Sequence, residues 1–277
     1  MKGTLYICAT PIGNLSDITL RCLETLKSVD IIAAEDTRHT AKLLNAYEIK
    51  KSVTSYYEHN KIMKSGKIIG MLLEGKNVAL VSDAGTPIIS DPGDMLLNEC
   101  IENGIEVVPL PGPCAAICAL TVSGLNAKRF TFVGFLPPKT NDRKRELEAL
   151  ASLDSTLVFY EAPHKIKASL KDMLEVLGNR RVTLHREMTK KFEQVLRLDL
   201  ESAVKYFNEN EPKGEFVIIT EGAEKNAVAA DFGMTVEEHV ASYVKSGMDK
   251  KEAIRQCAKD RNIPKREVYN LINGNKE

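Results

Sequence analysis

The 277-residue sequence lacks a surplus of charge of either sign, since Lys plus Arg and Asp plus Glu both total 38. The whole molecule therefore offers no net attraction for a polyanion, and any contact with nucleic acid must be local. No apolar run approaches the length that would cross a bilayer. The opening M-K-G-T-L-Y-I-C-A-T runs into a strand-like segment without the apolar stretch and cleavage site of a secretory signal, so a cytoplasmic protein is expected. The six cysteines (Cys8, Cys22, Cys100, Cys114, Cys118, Cys257) include no C-x-x-C pair, which argues against a zinc site and for buried, reduced thiols. The five histidines are too dispersed to suggest a metal, and none is expected. The dinucleotide signature G-x-G-x-x-G is absent. The nearest match to a nucleoside-triphosphate loop, residues 70–77 (G-M-L-L-E-G-K-N), ends in Asn and precedes a strand, so it reads as coincidence.

What remains is an ordinary globular balance, 43% apolar and 27% charged. The length exceeds that of a usual single domain and favours two α/β domains with a small appendage. Residues 4–10 are apolar and β-prone, end in P-I-G-N, and precede an amphipathic run, which is a strand, a loop and a helix. The rhythm repeats with strands at 29–34, 78–81 and 105–110, a helix through Leu43 and Leu44, and a helix from 94 to about 103. A small-residue run follows P-G-P-C and suits a helix packed closely on a neighbour. Alternating strands and helices imply a largely parallel sheet covered on both faces, with function in the loops that follow strands.

The rhythm breaks near 125–129. Later strands are expected at 130–135, 156–160, 182–186, 194–198 and 216–220. Two of them, separated by no helix, suggest a hairpin and a mixed sheet. Residues 226–233 read as a linker. Helices follow around Val236, Val240 and Val244, at 250–259 and at 265–272, with Pro264 opening the last in a helix-turn-helix-like pattern. The expected organisation is an N-terminal α/β domain (1–112), a second α/β domain (113–226) and a helical domain (234–277).

Three loops carry the chemistry: A-T-P-I-G-N at 9–14, V-S-D-A-G-T-P-I-I-S-D-P-G at 81–93 and P-L-P-G-P-C-A-A at 109–116. Each follows a strand, and Pro and Gly there free main-chain groups to meet a ligand. One such loop would be only a tight turn; three on one sheet edge favour a binding site. They contain no lysine for phosphate but supply Asp83, Thr86, Ser90 and Asp91, which suit hydroxyls, amines and a cationic centre. The chemistry points to a neutral or cationic nucleoside-type ligand without naming it.

Together with E-D-T-R at 35–38, G-F-L-P at 134–137 and F-Y-E-A-P-H at 159–164, these loops resemble the tetrapyrrole methylase superfamily over nearly the whole chain. The likeness is strongest to the branch that methylates the 2′-oxygen of a cytidine in 16S rRNA of the small ribosomal subunit. The resemblance implies a homodimer with S-adenosyl-L-methionine in a cleft between two α/β domains. Carried over, the cofactor walls are Pro11, Gly13, Asp83, Ala84, Gly85, Thr86, Ile88, Ser90, Cys114, Ala115, Ala116, Phe159 and Tyr160.

For the proton of the acceptor hydroxyl, Asp36 and Glu35 are the leading candidates, with Glu161 behind them. Helix capping with a surface ion pair is the competing explanation of Glu35, Asp36 and Arg38, and the one slightly favoured over catalysis. RNA contacts are expected from Arg38, His59, Asn60, Lys139, Arg143, Lys144 and Arg145, with Tyr56 and Tyr57 able to stack on a splayed nucleotide. Lys128-Arg129, Arg180-Arg181 and Lys190-Lys191 are further basic pairs. Two rivals stay open. One is a corrin, porphyrin or protein-directed methylase of the same fold; the other is a nucleic-acid-binding metabolite sensor.

Overall fold

The computed structural model describes residues 1–57, 61–224, 233–261, 263 and 265–273. It divides into two compact units, Met1–Gly222 and Ala223–Glu277.

In the first unit, five short apolar segments form a parallel sheet: β1 (Thr4–Cys8), β2 (Ile31–Ala34), β3 (Ser52–Ser55), β4 (Val78–Val81) and β5 (Glu106–Leu110), in the order β3-β2-β4-β1-β5. Pro109 is tolerated because β5 is an edge strand. Period-two alternation splits the buried residues between the two faces. Leu5, Ile7, Val78 and Leu80 pack under α3 (Lys61–Leu73) and α4 (Asp94–Glu102). Cys8, Ile32, Ala79 and Val81 pack under α1 (Leu20–Ser28) and α2 (Thr37–Ala46). Strand β3 and helix α3 were not among the expected elements.

The chain then passes through α5 (Ala115–Val122) into a mixed sheet of β6 (Phe130–Phe135), β7 (Thr156–Glu161), β8 (Arg181–Arg186), β9 (Gln194–Asp199) and β10 (Phe216–Thr220), in the order β6-β7-β10-β8-β9. Strands β8 and β9 form the expected antiparallel hairpin. One face packs on α6 (Thr140–Leu150), α7 (Ile166–Leu177) and α8 (Leu200–Glu209) through Leu147, Leu170 and Phe207 against Leu157, Phe159 and Ile218. The other face takes α5, whose Ala116 and Ala119 allow a close approach to Val158, Val217 and Ile219. Ile12, from the loop after β1, reaches into this second core and so joins the two sheets at their ligand-facing edges.

In the second unit, α9 (Val236–Lys245), α10 (Lys250–Asp260) and α11 (Lys265–Asn273) close on a small core of Val240, Ile254, Cys257 and Val268. Helix α9 opens with a capping box between Thr235 and Glu238. Buried Arg261 donates to His239 Nδ1 at 3.0 Å. Of the linker read at 226–233, only Gly233 is among the described residues, and Asn262 and Pro264 of the R-N-I-P turn lie outside them. No helix among the described residues is long and apolar enough to cross a membrane.

Candidate functional site: a cleft between the two sheets of the first unit

The three Pro/Gly loops are tied to one another by their own polar groups. Thr10 and Gly85 exchange backbone hydrogen bonds at 2.9 and 3.0 Å, the Thr10 hydroxyl donates to the Ser82 carbonyl at 3.3 Å, and the Thr86 hydroxyl donates to the Pro113 carbonyl at 3.1 Å. Gly85 sits at φ +82°, and a Cβ there would come 3.4 Å from Ile12 Cγ2, so the turn that joins the first two loops favours glycine.

These loops form one wall of a cleft of about 340 Å³, within the usual range for small-molecule sites. That wall consists of Ile12, Asp83, Ala84, Gly85, Thr86, Ile89, Ser90, Asp91, Cys114 and Ala115. The opposite wall comes from the second sheet: Phe135, Tyr160, Glu161, Ala162, His185, Glu187, Met188, Lys190, Glu215, Phe216 and Val217.

The first wall carries a cluster of carboxylates at the ends of β2 and β4. Burial raises the pKa of Asp91, opposed by the neighbouring Ser82 hydroxyl and reinforced by the charge of Asp83. Burial likewise raises Glu35, with Asp91 and Asp83 adding to it. Asp83 Oδ1 also accepts the Asp36 N–H at 3.1 Å, which fixes this acidic pair of loops.

The second wall is organised around Tyr160 and Lys190. The Tyr160 hydroxyl accepts the Ala116 N–H at 3.2 Å, and burial, with Cys114 beside it, pushes its pKa up to about 12. Its ring meets Phe132 at 5.1 Å and Phe135 at 5.6 Å between centroids. Lys190 Nζ bridges Glu187 at 3.0 Å and Glu215 at 2.9 Å. Partial burial works to lower the Lys190 pKa, but the two carboxylates outweigh it and raise it. Partial burial works to raise Glu187, yet the Glu215 N–H and the Lys190 ammonium hold its carboxyl below the usual range. The turn that presents these groups is strained, with Glu187 at φ +50° and Thr189 at φ +64°. His185 Nε2 lies 2.6 Å from Glu193 Oε1, and its buried Nδ1 has no hydrogen-bond partner among the described residues.

Of the residues expected at the cofactor walls, Asp83, Ala84, Gly85, Thr86, Ser90, Cys114, Ala115 and Tyr160 line the cleft. Five lie elsewhere. Pro11 is buried and its neighbour Ile12 faces the cleft instead. Gly13 abuts Lys190, whose Cγ would lie 2.6 Å from a Cβ at that position. Ile88 takes φ +77° and packs into the first-sheet core, which leaves Ile89 at the cleft. Phe159 is buried in the second-sheet core, and Ala116 contributes its N–H to Tyr160 from within the core.

Of the three candidate carboxylates, only Glu161 lines the cleft. It is 2% exposed, with Oε1 accepting the Ala162 N–H and Oε2 the Ser169 hydroxyl. Asp36 caps α2 and binds Arg38 at 2.8 Å, and these bonds hold its carboxyl well below the ordinary range. Glu35 is outside the lining but belongs electrostatically to the acidic cluster.

The basic cluster after Pro138 does not act as one patch. Arg143 is 3% exposed and its guanidinium is committed to Asp172 and to the carbonyls of Pro137 and Pro138, so it is a structural ion pair and not a surface contact. Lys144 pairs with Glu175 and Arg145, though exposed, lies 3.9 Å from Asp142, while Lys139 is exposed. Arg38 is exposed as well. Tyr56 is buried, with its hydroxyl 3.2 Å from Ser65 Oγ, and therefore cannot stack on a nucleotide. His59 and Asn60 lie outside the described residues.

The sequence model of the tetrapyrrole (corrin/porphyrin) methylases matches residues 4–204. The chain belongs to this family. Its relatives narrow the class. It is 48% identical over 273 residues to ribosomal RNA small subunit methyltransferase I of Halalkalibacterium halodurans, covering 98% of this chain and 94% of that one. It is also 48% identical over 271 residues to the Bacillus subtilis protein of the same name, covering 96% and 93%. Among solved structures, diphthine synthase aligns with a TM-score of 0.62 at 16% identity, covering 79% of this chain and 90% of that one. Uroporphyrin-III-C-methyltransferase from Thermus thermophilus aligns at 0.57 and 19%, covering 79% and 94%. These structural likenesses establish the fold.

Proposed function

We propose that this protein transfers a methyl group from S-adenosyl-L-methionine to the 2′-oxygen of a cytidine in 16S rRNA of the small ribosomal subunit. The observation that carries the reading is a cleft lined, among the described residues, by five carboxylates and one lysine, in a chain of which 98% and 96% match two ribosomal RNA small subunit methyltransferases I. The residues fit the cofactor. Ile12, Ala84, Ala115 and Met188 give it apolar walls, and Gly85 keeps open the space that a side chain would narrow. Asp83 and Asp91 suit its cationic centres. Bound there, S-adenosylmethionine supplies an electrophilic methyl group on a cationic sulfur.

The chain's own task is then to align the acceptor oxygen and to take its proton. Asp91 is the carboxylate best matched to the proton, because it lines the cleft and burial has made it more basic than an ordinary aspartate. Glu161 is assigned to positioning, holding the start of the 162–165 turn and α7, and Asp36 to capping α2. The loops of the first wall, as far as Ala115, and the second sheet serve as the two halves of the site. Exposed Arg38, Lys139 and Arg145 are left to meet RNA phosphates outside the cleft. A cytoplasmic homodimer is part of the same reading, and light scattering checks the oligomer.

The test is incubation with tritiated S-adenosylmethionine and 30S subunits from a strain lacking the modification. Label in 16S rRNA supports the reading. Label only in a small tetrapyrrole or a protein acceptor overturns it.

A further inference from the structure

We propose that Phe135 is the platform on which the base of the acceptor nucleotide stacks at the mouth of the cleft. The inference deepens the reading of the cleft as a site of methyl transfer to RNA and rests on it.

Phe135 ends β6, just after an irregularity between Phe132 and Gly134 that breaks the register with β7. Such a bulge re-aims the side chains that follow it. Phe135 is 56% exposed while lining the cleft. It is not a loose side chain, because it leans on Tyr160 at 5.6 Å and 60°, and Tyr160 is in turn fixed by Phe132 and by the Ala116 N–H. A rigidly backed aromatic ring left open in a cleft is a surface kept for a ligand, since leaving it in water forgoes the stabilisation that burial would give. The other large apolar lining residue that is more than one third exposed is Ile89, at 52%, and it comes from the opposite wall. Ile88 beside it adopts φ +77°, a strained setting for a β-branched residue, and packs into the core while Ile89 is left at the cleft.

Charge selects which part of a nucleotide enters. Among the described residues the lining carries Asp83, Asp91, Glu161, Glu187 and Glu215 against one lysine, Lys190, which is already engaged by two of them. A phosphodiester is repelled from such an interior. A nucleoside is not, so base and ribose enter while the phosphates stay outside. With phosphate attraction unavailable inside, stacking is the main source of grip on the base, as in other single-stranded RNA sites. Loss of one base–aromatic stack is expected to reduce kcat/KM for the RNA on the order of 10- to 100-fold.

The test uses the full-length protein, 30S subunits lacking the modification, and three substitutions: Phe135→Ala, Phe135→Leu and Phe135→Trp. Leucine keeps an apolar side chain but has no π-face. The expected result is a 10- to 100-fold loss of kcat/KM for subunits with Ala and Leu, recovery to within a few-fold with Trp, and unchanged S-adenosylmethionine affinity by calorimetry and unchanged Tm throughout. Full activity of Phe135→Leu overturns the proposal. So does a loss of S-adenosylmethionine affinity that accounts for the defect, because the ring would then serve the cofactor. A wild-type protein that labels no RNA overturns both this proposal and the functional reading, whereas an active wild type with an indifferent Phe135 overturns this one alone.

Discussion

Replacing Arg143 with methionine separates a structural arginine from an RNA-binding one. Arg143 Nε and Nη2 meet Asp172 Oδ2 at 2.7 and 2.6 Å, and Nη1 donates to the carbonyls of Pro137 and Pro138 at 3.2 and 3.0 Å. The two side chains are only 4% and 7% exposed, so solvent screens the pair little. Removing the guanidinium leaves the Asp172 carboxylate buried without its counter-ion, and breaking a buried pair in this way costs about 3–5 kcal/mol. The first unit runs from Met1 to Gly222. At an unfolding entropy of about 2.1 cal/mol/K per residue, that loss corresponds to a fall in Tm of roughly 6–11 °C. The double variant Arg143→Met, Asp172→Leu removes the orphaned charge and is expected to recover at least half of the loss. Thermal and urea denaturation measure the stabilities, and RNA binding across a salt series measures the charge contact. If Arg143 instead met phosphate, Tm would hold and the salt slope would fall by about 1; that pair of results would refute the structural assignment.

Lowering the pH from neutral should weaken binding of S-adenosylmethionine, which bears a sulfonium, more than binding of S-adenosylhomocysteine, which does not. Asp91 and Glu35 have raised pKa values, so they take up protons before ordinary carboxyls do and the negative field of the site falls first; an affinity ratio that calorimetry finds constant with pH would contradict this. Asp91→Asn should weaken S-adenosylmethionine binding, as protonation does, and in addition cut kcat at saturating cofactor by about 10²- to 10⁴-fold; normal single-turnover rates at saturating cofactor would remove Asp91 from the proton path. Gly85→Ala forces a side chain into a left-handed backbone at φ +82° and against Ile12. It should destabilise by about 1–2 kcal/mol and weaken cofactor binding several-fold, and unchanged binding would mean that this turn does not shape the wall.

The sheets were legible wherever apolar, β-prone runs ended in Pro or Gly, and the β8–β9 hairpin was legible because no helix separates its strands. Strand β3 was not, because S-V-T-S is a short, polar edge strand with no apolar run to mark it. The first wall of the cleft could be read from its loops, since three breaker-rich turns on one parallel edge are a local pattern. The second wall could not. Glu187, Lys190 and Glu215 meet only because an antiparallel sheet brings the ends of β8 and β10 together. The charged turn R-E-M-T-K between two strands was the available signal. The differences in placement have local causes: with its left-handed φ Ile88 packs into the core and Ile89 faces the cleft, and composition cannot tell that one arginine in a basic run turns inward to an aspartate on α7.

The most direct measurement of the central claim is the identity of the methylated nucleoside. After methyl transfer to unmodified 30S subunits, digestion of the 16S rRNA to nucleosides and mass spectrometry should reveal 2′-O-methylcytidine at close to one residue per subunit. It should be absent when Asp91→Asn replaces the wild type. A methyl group found on a base, on a ribosomal protein or nowhere in the subunit would contradict the account.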